Sequence, residues 1–387
     1  MSKLNELIQK LCPDGVEYKR IDEICDISRG RVMSKDYIQA NQGEYPVYSS
    51  QTENNGELGK ISNFDYDGEY LTWTTDGANA GSIFYRSCRF SITNVCGLLK
   101  VNKDDIITRY IYYSLQIEAP KYVNKGMGNP KLMSNVMAKI KIPVPPLEVQ
   151  REIVRILDSF TELTAELTAE LTARKKQYEF YRDDLLSFND ANVPIIQLQD
   201  VLTIKNGKDY KHLSEGKFPV YGSGGIMTYV DGFVYDKPSV LIPRKGSLDK
   251  LYYVDTPFWN VDTIFYTKID NEKVIPKYVF YYLQSQHLEN LNTAGGVPSL
   301  TQAILNKVKI AVPSIAIQKR LVKVLDNFDA ICSDLNIGLP AEIEARQKQY
   351  EYYRDALLTY AATGKIIPRQ TDRQTDRQTD RQTSMMR

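Results

Sequence analysis

Long apolar runs are missing from this chain of 387 residues. Nowhere do about 18 uncharged hydrophobic residues follow one another, so no segment suits a bilayer crossing. The opening Met1-Ser-Lys-Leu-Asn-Glu-Leu-Ile8 is polar and amphipathic, without the apolar core or cleavage site of an export signal. Cysteine is sparse: Cys12, Cys25, Cys88, Cys96 and Cys332 form no C-x-x-C pair, which argues against zinc and for free thiols in a reducing cytoplasm. Histidine is scarcer still. His212 and His287 have no Cys, Asp or Ser partner at a telling spacing, so acid–base and nucleophilic catalysis have no visible home. There is no Gly-x-Gly-x-x-Gly, no Walker A loop and no Asn/Asp-Pro-Pro-aromatic tetrad of an amino-methyltransferase. Pro13-Asp14 followed by Glu17-Tyr-Lys19 spells a nuclease metal motif by letters. Two intervening residues are too few to bring both carboxylates onto one metal from separate strands. The expectation is therefore no catalytic residue, no metal ligand and no cofactor. A basic excess is absent too. With a net charge of +1, a nucleic-acid binder would have to gather its positive charge on one face or borrow it from partners.

Tyrosine, by contrast, is abundant: 27, against 12 phenylalanines and 2 tryptophans. Many fall in strand-like alternation, where the ring packs and the hydroxyl stays in water.

The strongest signal is internal repetition. Arg109-Tyr-Ile-Tyr-Tyr-Ser-Leu-Gln116 recurs as Lys277-Tyr-Val-Phe-Tyr-Tyr-Leu-Gln284, and Lys139-Ile-Lys-Ile-Pro-Val-Pro-Pro146 as Lys307-Val-Lys-Ile-Ala-Val-Pro-Ser314. Arg155-Ile-Leu-Asp-Ser-Phe160 matches Lys323-Val-Leu-Asp-Asn-Phe328, and Lys176-Gln-Tyr-Glu-Phe-Tyr-Arg182 returns as Lys348-Gln-Tyr-Glu-Tyr-Tyr-Arg354. Upstream, Ile27-Ser-Arg-Gly30 pairs with Ile204-Lys-Asn-Gly207, and Tyr45-Pro-Val-Tyr48 with Phe218-Pro-Val-Tyr221. The spacing between copies drifts along the chain, as loops of different length on one shared scaffold would make it.

Each copy opens with short strands and turns (17–145 and 194–313), rich in Tyr, Val, Ile and Thr, with a helix near Thr108–Gln116 and its copy at Pro276–Leu288. Each copy closes on helix. The first helix should run from about Leu147 to Ser187, with a stripe of Ile153, Leu157, Phe160, Leu163, Leu167, Leu171, Tyr178, Tyr181 and Leu185. A stripe so long needs a partner helix. The second copy supplies Leu321, Leu325, Phe328, Ile331 and Leu335, then Ile343, Tyr350, Tyr353 and Leu357, with Gly338 and Pro340 expected to interrupt it. The fold class expected is α+β: two β-rich domains, each followed by a long helix, the helices pairing as an antiparallel coiled coil with pseudo-two-fold repetition. The boundaries expected are 1–146 and 191–314 for the domains, 147–190 and 315–364 for the helical spacers, and a disordered repeat tail at 365–387, built on Thr-Asp-Arg-Gln.

The order of these pieces resembles the specificity subunit of type I restriction–modification systems. The resemblance rests on Leu4-Asn-Glu-Leu-Ile-Gln-Lys-Leu-Cys-Pro-Asp-Gly-Val-Glu-Tyr18, on Ile142-Pro-Val-Pro-Pro-Leu-Glu-Val-Gln-Arg-Glu-Ile-Val154 with its weaker copy at 310–322, and on Glu342–Leu358. It implies two target-recognition domains, each reading one half of a split site in double-stranded DNA, and no chemistry of the chain's own. The helices would act as a ruler and as docking surface for two adenine-methylating subunits, and motor–nuclease subunits would complete the restricting complex. The first copy departs from the pattern, carrying Thr-Ala-Glu-Leu repeats where the second has Ser333–Glu342. Two other classes compete: a protein–protein scaffold on a coiled-coil rod, and a free-standing DNA-binding regulator. Co-purification with methyltransferase-type partners separates them from the first.

Laid over each other, the copies locate the loops expected to face DNA. Tyr48–Gly56 lies over Tyr221–Gly225, offering Ser49, Ser50, Gln51, Asn54 and Asn55 in one and Tyr221 and Ser223 in the other as partners for base edges. Thr74–Asn79 lies over Ile242–Ser247, with Thr75, Asn79, Arg244, Lys245 and Ser247. The two cations suit phosphate or guanine. Asn124–Lys131 lies over Asn292–Ser299, with Lys125, Asn129, Lys131, Thr293 and Ser299, and glycine amides able to approach a phosphate.

Overall fold

A computed structural model describes residues 2–126, 128–188, 193–292, 298–333 and 338–364. The tail expected at 365–387 and Thr293 lie outside them. The chain forms two compact units: residues up to Ala165 with those from Ala345 onward, and Glu166–Glu344.

In the first unit an antiparallel sheet runs in the order Cys25–Arg29, Cys96–Val101, Tyr70–Thr74, Ile83–Arg86. A second sheet runs Glu57–Ile61, Gln42–Tyr48, Ser91–Ile92, its last pair parallel. Glu17–Arg20 pairs with Lys141–Val144 and draws the ends of the domain together. The second unit repeats this strand for strand. Its larger sheet is Leu202–Lys205, Ile264–Ile269, Ser239–Pro243, Tyr252–Val254. Its smaller sheet is Gly225–Val230, Glu215–Gly222, Trp259–Asn260, again with a parallel last pair, and Ile195–Gln197 pairs with Lys309–Ala311. The duplication of letters is thus a duplication of topology. Gly30 and Gly207, matched in sequence, show why the match persists. A Cβ on either would fall 2.0 Å from a backbone carbonyl oxygen, of Ile92 and Val261 respectively.

One helix per domain lies on the larger sheet: Thr108–Glu118, burying Tyr110, Ile111, Tyr113 and Leu115, and Pro276–Ser285, burying Tyr278, Val279, Tyr281, Tyr282 and Leu283. The expectation that tyrosine hydroxyls stay in water fails here. Tyr110 Oη donates to the Pro143 carbonyl at 2.8 Å and Tyr278 Oη to that of Ala311 at 2.7 Å, since a hydroxyl this deep needs a protein partner. Tyr113 and Tyr281 donate to Asp158 and Asp326, which also pair with Arg109 and Lys277 at 2.8 and 2.9 Å.

A glutamine makes the joint between each domain and its long helix. Gln150, fully buried, accepts from the Ile107 amide at 2.9 Å and donates to the carbonyls of Asp105 and Pro145 at 3.0 and 2.8 Å. Gln318, equally buried, accepts from the Ile275 amide at 2.8 Å and donates to Lys273 and Pro313 at 3.0 and 2.8 Å.

The first long helix runs unbroken over Leu147–Leu186; the second copy gives Ile315–Ser333 and Leu339–Thr363, with Pro340 in a first turn where its missing N–H is harmless. In the first unit Ile153 and Leu157 join Leu357, Leu358, Tyr360 and Ala361 in the domain core, and Phe160 stacks on Tyr353 with centroids 5.3 Å apart. In the second, Tyr178 and Leu186 join Leu325 and Cys332, and Tyr181 stacks on Phe328 at 6.0 Å. The expected stripe needs two corrections. Its middle is not buried, with Leu163 exposed and Leu167 and Leu171 half-covered. Towards its end burial follows the i, i+4 line Tyr178, Arg182, Leu186, which leaves Leu185 exposed.

Candidate nucleic-acid interface

Within each unit the three candidate loops converge. In the first, the Thr75 amide donates to Ser50 Oγ at 3.1 Å, and Asn79 Nδ2 reaches Thr52 Oγ1 at 2.9 Å, tying the first loop to the second. The second is tied to the third by backbone alone: Leu132 N to the Thr75 carbonyl at 2.9 Å and Gly77 N to that of Pro130 at 3.1 Å. The second unit repeats the tie of second loop to third, with Leu300 N to Arg244 O at 2.9 Å and Gly246 N to Pro298 O at 3.2 Å. Its first loop meets the second through Thr263, whose hydroxyl accepts from Ser223 N at 3.3 Å and whose carbonyl accepts from Arg244 N at 2.9 Å. The ties shift one sequence match by a residue. Thr75, not Asp76, stands where the second domain has Arg244, and Gly77 pairs with Gly246.

The named residues divide by what their side chains are free to do. Asn54, Asn55, Lys125, Asn129, Lys131 and Lys245 are exposed. Asn79 is exposed but held by Thr52. Arg244 is half-exposed, its guanidinium 5.9 Å from the centroid of the Phe265 ring; Ser223, Ser247 and Ser299 are also half-exposed. Others build the loops. Thr75 is buried and gives its hydroxyl to the Val95 carbonyl at 2.7 Å, and Ser50 donates to the same oxygen. Ser49 accepts from Thr93 at 2.9 Å, and Gln51 Nε2 donates to the Glu57 carbonyl at 2.5 Å. Tyr221 packs its ring against Tyr252 and Phe258. The Gly126 amide, expected to be open to a phosphate, is taken by Asn124 Oδ1 at 2.9 Å.

Sequence reasoning missed Arg86. It is 3% exposed and forms no ion pair among the described residues. Its guanidinium lies 3.5 Å from the Tyr48 ring centroid, donates to Thr72 Oγ1 at 3.2 Å and to the Asn55 carbonyl at 2.9 Å, and leaves Nη1 without a partner. Burial pulls its pKa below the usual arginine value. His287, which has no telling partner by spacing, stands 3.3 Å from Asp183 and 3.2 Å from Glu289. No group of three or more His, Cys, Asp or Glu among the described residues could hold a metal ion. Burial pushes the Cys25 and Cys96 thiols up to about 12, far from a reactive thiolate. No helix of the described residues is long and apolar enough to cross a membrane.

A profile described as the type I restriction modification DNA specificity domain matches residues 13–174 and again 192–345. A Mycoplasma pneumoniae protein named as a putative type I specificity subunit is 33% identical over 361 residues, 90% of this chain and 98% of its own. The crystal structure of a type I restriction-modification S subunit from M. genitalium aligns with TM-score 0.53 at 19% identity, over 90% of this chain and 97% of that one. A chain from a structural study of complex assembly and conformational transition in a type I R-M system aligns with TM-score 0.57 at 15% identity, over 91% and 98%. At these identities the two structures speak to the fold.

Proposed function

The chain belongs to the type I restriction–modification DNA specificity family, and from that we propose that it is the non-catalytic subunit that reads a split site in double-stranded DNA. The domains at 1–146 and 191–314 each read one half-site. The helical spacers at 147–190 and 315–364 pair as an antiparallel coiled coil and dock two adenine-methylating subunits, to which motor–nuclease subunits add restriction in the cytoplasm. One observation carries this reading. Two copies of one scaffold bring the same three loops together and tie the second to the third through the same backbone bonds, while the side chains on those loops differ. A scaffold protein has no use for that combination; a reader of two unlike half-sites requires it. The stacked pairs Phe160–Tyr353 and Tyr181–Phe328 support the helix pairing, each joining the start of one long helix to the end of the other copy's.

Exchanging residues 194–313 for the equivalent domain of another such subunit is expected to change one half of the methylated motif and leave the other intact. Methylome sequencing of the host reads the result, and a change in both halves would refute independent reading. Replacing Arg244 and Lys245 together by alanine should weaken binding and lower the slope of log affinity against log salt by about one per lost phosphate contact. Titrations at several salt concentrations measure it; an unchanged slope removes both residues from the phosphate backbone.

A further inference from the structure

Among the loops of the first domain, Ser49–Gly56 makes its turn without a glycine at the tip. Asn54 and Asn55 both adopt left-handed backbone, φ 47° and 54°, with exposed side chains whose amides have no partner among the described residues. Asparagine tolerates this region better than other side chains, and two positive-φ residues in succession suit a tight turn; here a side chain from another strand also holds that turn. The hold comes from beneath. Arg86 donates to the Asn55 carbonyl, its position fixed by the Tyr48 ring, by Phe84 at 4.7 Å and by Thr72. Gly56, at φ 80°, lies so close that a Cβ would stand 3.2 Å from Arg86 Nη2. The second domain serves as an internal control. Strand pairing places Val254 where the first has Arg86, and the corresponding turn is the glycine-bearing Gly222–Gly225, with Gly225 at φ 116°. Where glycine makes the turn the arginine is absent; where asparagines make it the arginine is present.

We propose that Arg86 is the positioning residue of the first domain's reading loop, fixing the direction in which Asn54 and Asn55 present their amides to the bases of the first half-site. It does so without touching DNA, since it is enclosed. Among the described residues its charge has no carboxylate to answer it, and the carbonyl dipole of Asn55 is the compensation the loop offers, so loop and cation hold each other in place. The inference rests on the reading of the chain as a DNA-specificity subunit.

The test uses the full chain with its co-purifying subunits, the variants Arg86→Met and Arg86→Lys, and competition between duplexes altered one base pair at a time in either half-site. Both variants are expected to lose about tenfold to a hundredfold of their discrimination at positions of the first half-site, the scale of a good amide–base pair, and to keep that of the second. Lysine should not rescue, because one ammonium cannot stack on Tyr48 while bridging Thr72 and Asn55. Discrimination unchanged in both halves would overturn the proposal, and rescue by lysine would assign the effect to charge and overturn the positioning role. If a variant misfolds, Asn54→Gly with Asn55→Gly serves instead. Removing the two amides should reduce discrimination in the first half-site alone, and unchanged discrimination would show that these asparagines are not the groups Arg86 positions and would overturn the proposal. A wild-type complex with no sequence preference in either half would instead strike at the proposed function.

Discussion

Gln318→Ala is expected to lower the stability of the second unit by about 3–5 kcal/mol. The change strands the Ile275 amide and the Lys273 and Pro313 carbonyls around a side chain that is itself fully buried, and each buried group left unpaired costs about 1–3 kcal/mol. Gln150→Ala should do the same to the first unit through Ile107, Asp105 and Pro145. Denaturant melts followed by tryptophan fluorescence test both: Trp73 lies in the first unit and Trp259 in the second, so each transition has its own reporter. An exposed control, Gln199→Ala, should stay within about 0.5 kcal/mol of the parent. If Gln318→Ala melted with the control, water would be replacing the amide and the joint would be softer than its geometry indicates.

Deleting Ala165–Thr168 should shorten the non-specific spacer between the half-sites by one base pair, two at most, and so abolish methylation of the parent's sites while creating a new set. Four helical residues span about 6 Å and turn through a net angle of roughly 40°. One base pair of B-DNA rises about 3.4 Å and twists by about 34–36°. The rotations nearly match, and an elastic interface absorbs the excess translation. The deleted segment lies where the helix is least buried, between the packed ends at Leu157 and Tyr178, so both domain cores survive its loss. Methylome sequencing of the deletion strain decides the matter. An unaltered spacer would show that the helix is not the ruler, and an altered half-site would show that it also shapes reading.

The features legible in the letters were those that repeat. Matched motifs located both domains, the Leu147–Leu186 helix almost to the residue, and the three loops of each domain, because the same hydrophobic pattern and the same glycines had to be used twice. What stayed hidden depends on position in space. Gln150 sits among Glu148, Arg151 and Glu152 and reads as surface; its match with Gln318 at the same place in the copy was the available signal. Arg86 has no such signal, since its counterpart is Val254. Whether Leu185 or Leu186 faces the core turns on one step of helical rotation, which periodicity cannot resolve over two turns. The register of Thr75 against Arg244 is set by backbone bonds that leave no trace in side-chain identity.

The closing of the first domain by the end of the chain sets an order of events during synthesis. Tyr350 Oη donates to Gln116 at 2.9 Å across 234 residues of sequence. At about 5–20 residues per second, the ribosome needs roughly 10–50 s to supply that segment. Through this interval the face of the first domain that will receive Leu357, Leu358, Tyr360 and Ala361 stays open, while Glu166–Glu344 emerges whole and can close first. Order of emergence and order of completion are therefore inverted. Premature termination ahead of Tyr350 leaves its wound in the domain that was translated first.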